Sequence, residues 1–290
     1  FLSKARRDRK PPIDEDFVAD KETVHSMYAS DVLKLIPRFF HQTLRSPLRP
    51  YIEEAEIAEL QDCCNRTVWG EPVHVDKLPP DVKVIGLMWV YDAKSHDNGL
   101  LAKFKARITL LGNQERMTGV LDKLQAYAPV HMADTLRLLV VLHLNDPTVK
   151  FRKIDVKNAY INEWMRRLVW CKMPPGYELF VYNGSVLFRR MRPGEQHPQK
   201  VAVPLLKALY GGMECGRIFW EAYVDWHLED GFQIIHEDRC YLHKRGSRGS
   251  WIKFPFHVDD NAIAYKGEEM YQAYLNRVCQ KFDIKEGPLT

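Results

Sequence analysis

The stretch WIKFPFHVDDNAIAY, residues 251–265, decides the fold. Apolar and aromatic residues fill both of its arms, and Asp259, Asp260 and Asn261 interrupt them in the middle. It reads as a strand folded back on itself at Val258-Asp259-Asp260-Asn261. A second signal, Val149 to Val156, is rich in β-branched residues and reads as a strand ending at Asp155, with a short helix after it. Carboxylates at strand ends can converge on one edge of a sheet. Three of them together repel unless hard cations neutralise them, and Mg²⁺ suits that role because it takes oxygen ligands and keeps positions open for water and phosphate. Each element has a plainer reading, Asp155 as a cap or turn residue and Asp259-Asp260 as turn chemistry. The combination is what points to chemistry.

Working outward, Val82–Tyr91 and Phe104–Leu111 read as two strands joined at Asp97-Asn98-Gly99, a hairpin carrying Lys103, Lys105 and Arg107. A helix is expected from Pro50, with Ile57, Leu60 and Cys64 on one stripe, and another from Asp134 as N-cap, with Leu136, Leu139, Val140 and His143. Asn183-Gly184 marks a turn between strand-like pieces at 168–172 and 185–190. A helical stretch is expected after Pro204, broken at Gly211-Gly212, resuming through Phe219, Tyr223 and Trp226 and stopping at Gly231. A last amphipathic helix carries Tyr271, Tyr274, Leu275, Val278 and Phe282. Residues 1–45 lack sustained periodicity and read as an N-terminal linker or arm, leaving 46–290 as the folded part. Helices and antiparallel hairpins alternate irregularly, which favours α+β over a doubly wound parallel sheet.

The 290 residues are 46% apolar and 28% charged, ordinary for a globular chain, with a formal net charge of +4. So modest a charge means that a nucleic-acid partner must be argued from local clusters such as Arg6-Arg7 and Arg189-Arg190, which also fit solvated surface runs. Six cysteines without a Cys-x-x-Cys pair suit reduced thiols in an intracellular protein rather than a zinc site or a disulfide scaffold. No run approaches the roughly 20 apolar residues of a membrane span. Without an initiator Met, the chain reads as a piece of something longer.

From about Trp69 to Thr290 the sequence resembles the reverse transcriptase of copia-type LTR retrotransposons. The resemblance rests on ordered motifs: VIGLMWVYDAK (84–94), KFKARITLLGNQ (103–114), YAPVHMADTLRLLVVL (127–142), KIDVKNAYINEWM (153–165) with MPPGYE (173–178), LLKALYGG (205–212), HVDD (257–260) and FDIKEGPLT (282–290). It implies a right-hand polymerase fold of fingers and palm, with an antiparallel palm sheet backed by helices and LLKALYGG in a helix facing primer and template. The thumb and RNase H domain are expected beyond Thr290. The implied function is template-directed DNA synthesis from RNA or DNA as part of a polyprotein, with integrase upstream and RNase H downstream. The implied partners are a template-primer duplex and dNTPs, with no membrane. The implied location is intracellular, in a cytoplasmic virus-like particle or the nucleus.

Carried over residue by residue, the resemblance makes Asp155, Asp259 and Asp260 catalytic, with Asp155, Asp259 and the Val156 carbonyl holding two Mg²⁺ (or Mn²⁺) ions. Lys105 and Arg107 would reach the triphosphate, Tyr160 would lie under the sugar, and Tyr210 and Gly211 near the nascent base pair. Several positions depart from the family pattern. His257 precedes Val-Asp-Asp in place of tyrosine, Glu214 and Gly216 replace glutamine and proline, Pro255 lies in the strand before the aspartates, and Asn261 and Leu111 replace an apolar and a basic residue. Two other readings stay open: a catalytically degenerate transposon relic that keeps the fold and nucleic-acid binding, and a metal-dependent nuclease.

Overall fold

Residues 20–116, 119, 126–192 and 194–289 are described by the computed structural model. They fall into two units, one made of residues 1–111 with 170–204, the other of 112–169 with 205–290. The mixture of helices and mainly antiparallel strands agrees with an α+β reading at that coarse level.

The first unit opens with α1 (Lys21–Ser26), α2 (Ala29–Leu35), α3 (Phe40–Thr43) and α4 (Arg49–Asn65). Residues 1–19 of the expected linker lie outside the described residues; residues 20–45 carry the three short helices α1 to α3 joined by extended and turn residues. Val24, Val32 and Ile36 are buried with Leu48, Ile52 and Leu101. These helices hide from a periodicity reading because α1 and α2 have only 6 and 7 residues and end on the extended caps Met27 and Ile36. The strands β3 (Leu87–Ser95) and β4 (Leu101–Leu110) form the expected hairpin, with Gly99 at φ 84° in its turn. Short strands β1 (Val73–His74) and β2 (Val84–Ile85) join a four-stranded sheet in the order β1-β9-β6-β2, with β6 spanning Trp164–Lys172 and β9 Val201–Lys207.

That sheet corrects one expectation. The segment after Pro204 is strand, not helix: Ala202 pairs with Val73, and the Pro204 carbonyl accepts from Gly70 N–H at 2.9 Å. Leu205 is buried, and the β-branched Val201 and Val203 outweigh the helical spacing of Leu205, Leu206 and Leu209. The Asn183-Gly184 turn joins β7 (Tyr177–Tyr182) to β8 (Ser185–Arg190) rather than reaching back to 168–172. Both turn residues have positive φ (48° and 76°), the conformation that a two-residue Asn-Gly hairpin favours.

In the second unit, α5 (Gly112–Arg116), α6 (Ala133–His143), α7 (Cys215–Glu229) and α8 (Glu268–Lys281) accompany a six-stranded antiparallel sheet. Its order is β10-β11-β12-β13-β5-β14, from β10 (Gln233–Ile234), β11 (Tyr241–Arg245), β12 (Trp251–His257), β13 (Asp260–Lys266), β5 (Lys150–Val156) and β14 (Ile284–Pro288). Ile154, Val156, Ile252, Phe254, Phe256 and Ile263 form a core with Phe219, Tyr223 and Val224 of α7 and Tyr271, Tyr274 and Val278 of α8. Leu139 of α6 packs with Val149, Tyr241 and Ala264 in a separate small cluster. Asp134 lies inside the first turn of α6, whose N-cap is Met132.

Pro255 sits in β12, an interior strand, so the missing N–H is tolerated by a break rather than by an edge. Phe256 N–H points to β11, donating to Cys240 at 2.9 Å, which turns the Pro255 nitrogen toward β13. Pairing with β13 covers Trp251–Lys253, skips Phe254 and Pro255, and resumes in the same register at Phe256 and His257.

Candidate active site

Two strands and a turn build an acidic edge. Asp155 is directly opposite Asp260 in the β5–β13 register, and Val156 N–H donates to the Asp259 carbonyl at 2.9 Å. Since 156/259 is thus a hydrogen-bonded pair, 155/260 is the alternate, non-hydrogen-bonded kind. Such pairs bring Cα atoms to about 4.5 Å and set both side chains on one face. Asp259 lies in the two-residue turn between His257 and Asp260. The turn is strained: Val258 has φ 55°, a conformation a β-branched residue adopts at a cost of about 1–3 kcal/mol.

Lys153 shares the face of Asp155, two residues along β5, and its Nζ meets Asp260 Oδ1 at 2.8 Å. Its ammonium is held above the ordinary lysine pKa, chiefly by the bond to Asp260, with Asp155 and Asp259 adding to the effect. Three carboxylates therefore act on one cation. On the other flank of β5, the exposed Lys285 of β14 is the register partner of Asp155.

The floor of this edge is polar and fully bonded. Asn261 is buried, and its Nδ2 donates to the carbonyls of Ile154 (3.0 Å) and Asp259 (3.1 Å), joining the two acidic strands. Its Oδ1 accepts from Tyr223 Oη at 2.8 Å. Below it, His227 Nδ1 donates to the Tyr223 carbonyl at 2.7 Å, and its Nε2 accepts from Tyr274 Oη at 3.1 Å. Burial pushes the His227 pKa down to about 4, so the ring is neutral near pH 7. The departure at Asn261 thus has a structural use that an apolar residue could not fill.

Tyr160 and Tyr210 come together in this unit, ring centroids 4.8 Å apart and nearly perpendicular. The Tyr160 hydroxyl is raised by burial first and then by the Asp259 charge, which places it beside the acidic edge. Gly211 has φ 81°, and a Cβ on Gly112 would come within 2.3 Å of the Gly211 carbonyl, so the LLGNQ and LYGG motifs meet backbone to backbone. Tyr210-Gly211 sits before α7, outside any helix. Glu214 is buried and forms an ion pair with Arg167 at 2.9 Å; Arg167 also pairs with Glu115, whose Oε2 accepts Met213 N–H at 2.8 Å. The negative charge at 214 is therefore matched locally.

Lys105 and Arg107 lie half-buried on β4 in the other unit. Both stand near Glu59 of α4, whose Oε1 accepts Ile108 N–H at 3.4 Å. Burial raises Glu59 from 4.5 to about 7 against the pull of Lys105 and Arg107. With the folded value above the unfolded one, the native chain keeps a proton that the unfolded chain releases. Stability on this account falls as pH rises from about 4.5 to about 7 and is level above that. Glu59→Gln is expected to flatten this slope and to raise stability at pH 8 by about 2 kcal/mol, read from thermal unfolding at pH 5 and pH 8.

Among the described residues, no group of three or more His, Cys, Asp or Glu side chains converges closely enough to hold a metal ion by itself. The donor set nonetheless suits Mg²⁺: paired carboxylates on one strand edge, already sharing an ammonium, match an ion that takes one or two carboxylates and completes its shell with water and phosphate. Arg167, Glu59 and the strain at Val258 escaped the sequence reading, and Asn261 entered it only as a departure, not as a structural tie between strands. Only Asn261 carried a signal there, as a polar residue in an apolar strand. Among the described residues no helix is long and apolar enough to cross a membrane.

A family model described as reverse transcriptase (RNA-dependent DNA polymerase) matches residues 71–288. The Retrovirus-related Pol polyprotein from transposon RE2 of Arabidopsis thaliana is 25% identical over 209 residues, 72% of this chain and 13% of that polyprotein. The corresponding polyprotein from transposon TNT 1-94 of Nicotiana tabacum is 22% identical over 213 residues, 73% of this chain and 15% of its own length. The chain thus spans under a sixth of these curated relatives. A solved telomerase from Candida albicans, in complex with a fragment of telomeric RNA, overlaps 84% of this chain and 46% of its own with a TM-score of 0.41 and 10% identity. A superposition that loose does not discriminate among mixed α/β folds. The family match takes in both acidic strands, the Tyr160–Tyr210 contact and the Gly112–Gly211 approach, and on it the chain belongs to the reverse transcriptase (RNA-dependent DNA polymerase) family, in its copia-type branch.

Proposed function

We propose that this chain supplies the polymerase centre of a retrotransposon polyprotein, extending a primer on an RNA or DNA template with dNTPs. On this reading the unit with the six-stranded sheet is the palm and the unit with the β3–β4 hairpin belongs to the fingers. The single observation that carries it is the pairing of Asp155 with Asp260 beside Asp259 in the adjoining turn, inside a matched family segment.

Asp155 and Asp259, with the Val156 carbonyl and Asp260 beside them, would hold two Mg²⁺ ions. Bound there, the pair supplies a lowered pKa at the primer 3′-hydroxyl and neutralises charge on the triphosphate and departing pyrophosphate. The protein's own share is positioning. Asn261 fixes the spacing of the two acidic strands, and the Tyr160 ring, braced by Tyr210, offers a flat wall under the deoxyribose. Gly211 lets the backbone approach a base pair, and Arg107 and Lys105 offer charge to the phosphates. Integrase and RNase H segments as neighbours in the polyprotein, and a virus-like particle or the nucleus as the site of action, belong to the same proposal.

Against the degenerate-relic reading stand the local compensations: Glu214 is matched by Arg167, Asn261 is fully bonded, and the ladder resumes its register beyond Pro255. Primer extension on an RNA template with Mg²⁺ and dNTPs tests the proposal. Incorporation that disappears in Asp259→Asn supports it. No incorporation at any Mg²⁺ or Mn²⁺ concentration favours the relic, and cleavage of labelled nucleic acid without dNTPs favours the nuclease.

A further inference from the structure

We propose that Lys153 is a tethered counter-ion of the acidic edge, competing with divalent cations and thereby setting how tightly that edge binds them. The inference rests on the reading of Asp155, Asp259 and Asp260 as metal-binding residues. Three observations carry it. Lys153 lies two residues from Asp155 on one strand, so both side chains leave the same face of β5. Its Nζ contacts Asp260 at 2.8 Å, and Asp260 is the register partner of Asp155. The pair is about half-exposed on both sides, at 49% and 53%, so it stabilises the fold little. Pairing at this end of β5 and β13 is already served by backbone bonds, such as Val156 N–H to the Asp259 carbonyl at 2.9 Å.

A lysine in such a place acts on the ions rather than on the fold. Its ammonium is a compact charge on a flexible four-carbon stem, able to sit on a carboxylate and to move aside. While seated it takes one carboxylate from an incoming ion. When displaced it stays tied to the same strand, within a few ångströms of the bound charge. In a water-like dielectric at about 0.1 M salt, a unit charge roughly 5 Å from a divalent ion weakens binding by about fivefold, and further salt screens the effect. Lys285, on the other flank of Asp155, makes no carboxylate contact among the described residues and is expected to contribute less.

The test is a Mn²⁺ titration of the 290-residue chain followed by electron paramagnetic resonance, which needs no catalysis. Lys153→Gln is expected to bind Mn²⁺ about fivefold more tightly than wild type, Lys153→Arg to match wild type, and the gap to narrow as KCl rises from about 0.05 M to about 0.5 M. Equal or weaker binding by Lys153→Gln overturns the inference. Asp155→Asn separates the two levels of argument. If it loses Mn²⁺ while Lys153→Gln is unchanged, only the counter-ion role fails. If it binds Mn²⁺ as wild type does, the ions bind elsewhere and both readings fall. Thermal unfolding of each variant confirms that affinities are compared between folded proteins.

Discussion

Asp155→Asn is expected to slow single-nucleotide incorporation by about a thousandfold or more, equivalent to about 4 kcal/mol of transition-state stabilisation, at a metal concentration saturating for wild type. The carboxylate stands at the one place where β5 and β13 bring two acidic side chains face to face, with no second carboxylate on β5 to replace it. An amide keeps the shape and loses the charge, so the loss is electrostatic rather than steric. Asp260→Asn is expected to cost much less, about tenfold, because Lys153 already shares that carboxylate and Asp260 is the more exposed of the pair. Melting temperatures separate chemistry from folding. Among the described residues Asp155 makes no buried bond, and removing one of two opposed like charges relieves repulsion, so neither variant should melt earlier than wild type. A residual rate in Asp155→Asn within tenfold of wild type would remove it from the catalytic set.

Much of the six-stranded sheet was legible because several of its strands are β-rich and bounded by unambiguous turn chemistry. The hairpin over 251–265 and the strand ending in Asp155 need only alternation, β-branching and an acidic turn to be read. What sequence could not supply was register. That Asp155 faces Asp260 while Asp259 stays in the turn depends on which hydrogen bonds the two strands choose, and a slip of one residue would exchange faces. The helix α4 shows a different failure. Its expected stripe of Ile57, Leu60 and Cys64 is offset from the buried one, which is Ile52, Glu56, Leu60 and Cys63, and Ile57 is exposed. A carboxylate in the inward stripe shifts the apparent apolar face by one position. Periodicity assumes that buried means apolar, and that assumption fails wherever a buried charge is fully bonded.

Glu56 is that charge, and Glu56→Ala is expected to destabilise the first unit by about 3–5 kcal/mol, the usual cost of breaking a buried pair from one side. The carboxylate is 0% exposed and takes four bonds: Arg49 Nη1 and Nη2 at 3.0 and 2.8 Å, Tyr91 Oη at 2.6 Å and Tyr177 Oη at 2.8 Å. These partners come from α4, β3 and β7, so one side chain ties a helix to two separate hairpins. Truncation leaves the Arg49 charge at 11% exposure without its main counter-ion and strands two phenols in an apolar layer beside Trp89. At the few degrees per kcal/mol typical of chains this size, the melting transition of that unit should drop by roughly 10 °C. Glu56→Gln, which keeps the shape and one acceptor oxygen, should fall between alanine and wild type. A drop below about 2 °C for Glu56→Ala would mean that the phenols and the guanidinium find water or each other at little cost. The network would then be a consequence of packing and not its cause. Replacing Glu56, Arg49 and both tyrosines together by apolar residues of similar volume should recover most of the loss, since the network's value lies in its completeness and not in its charge.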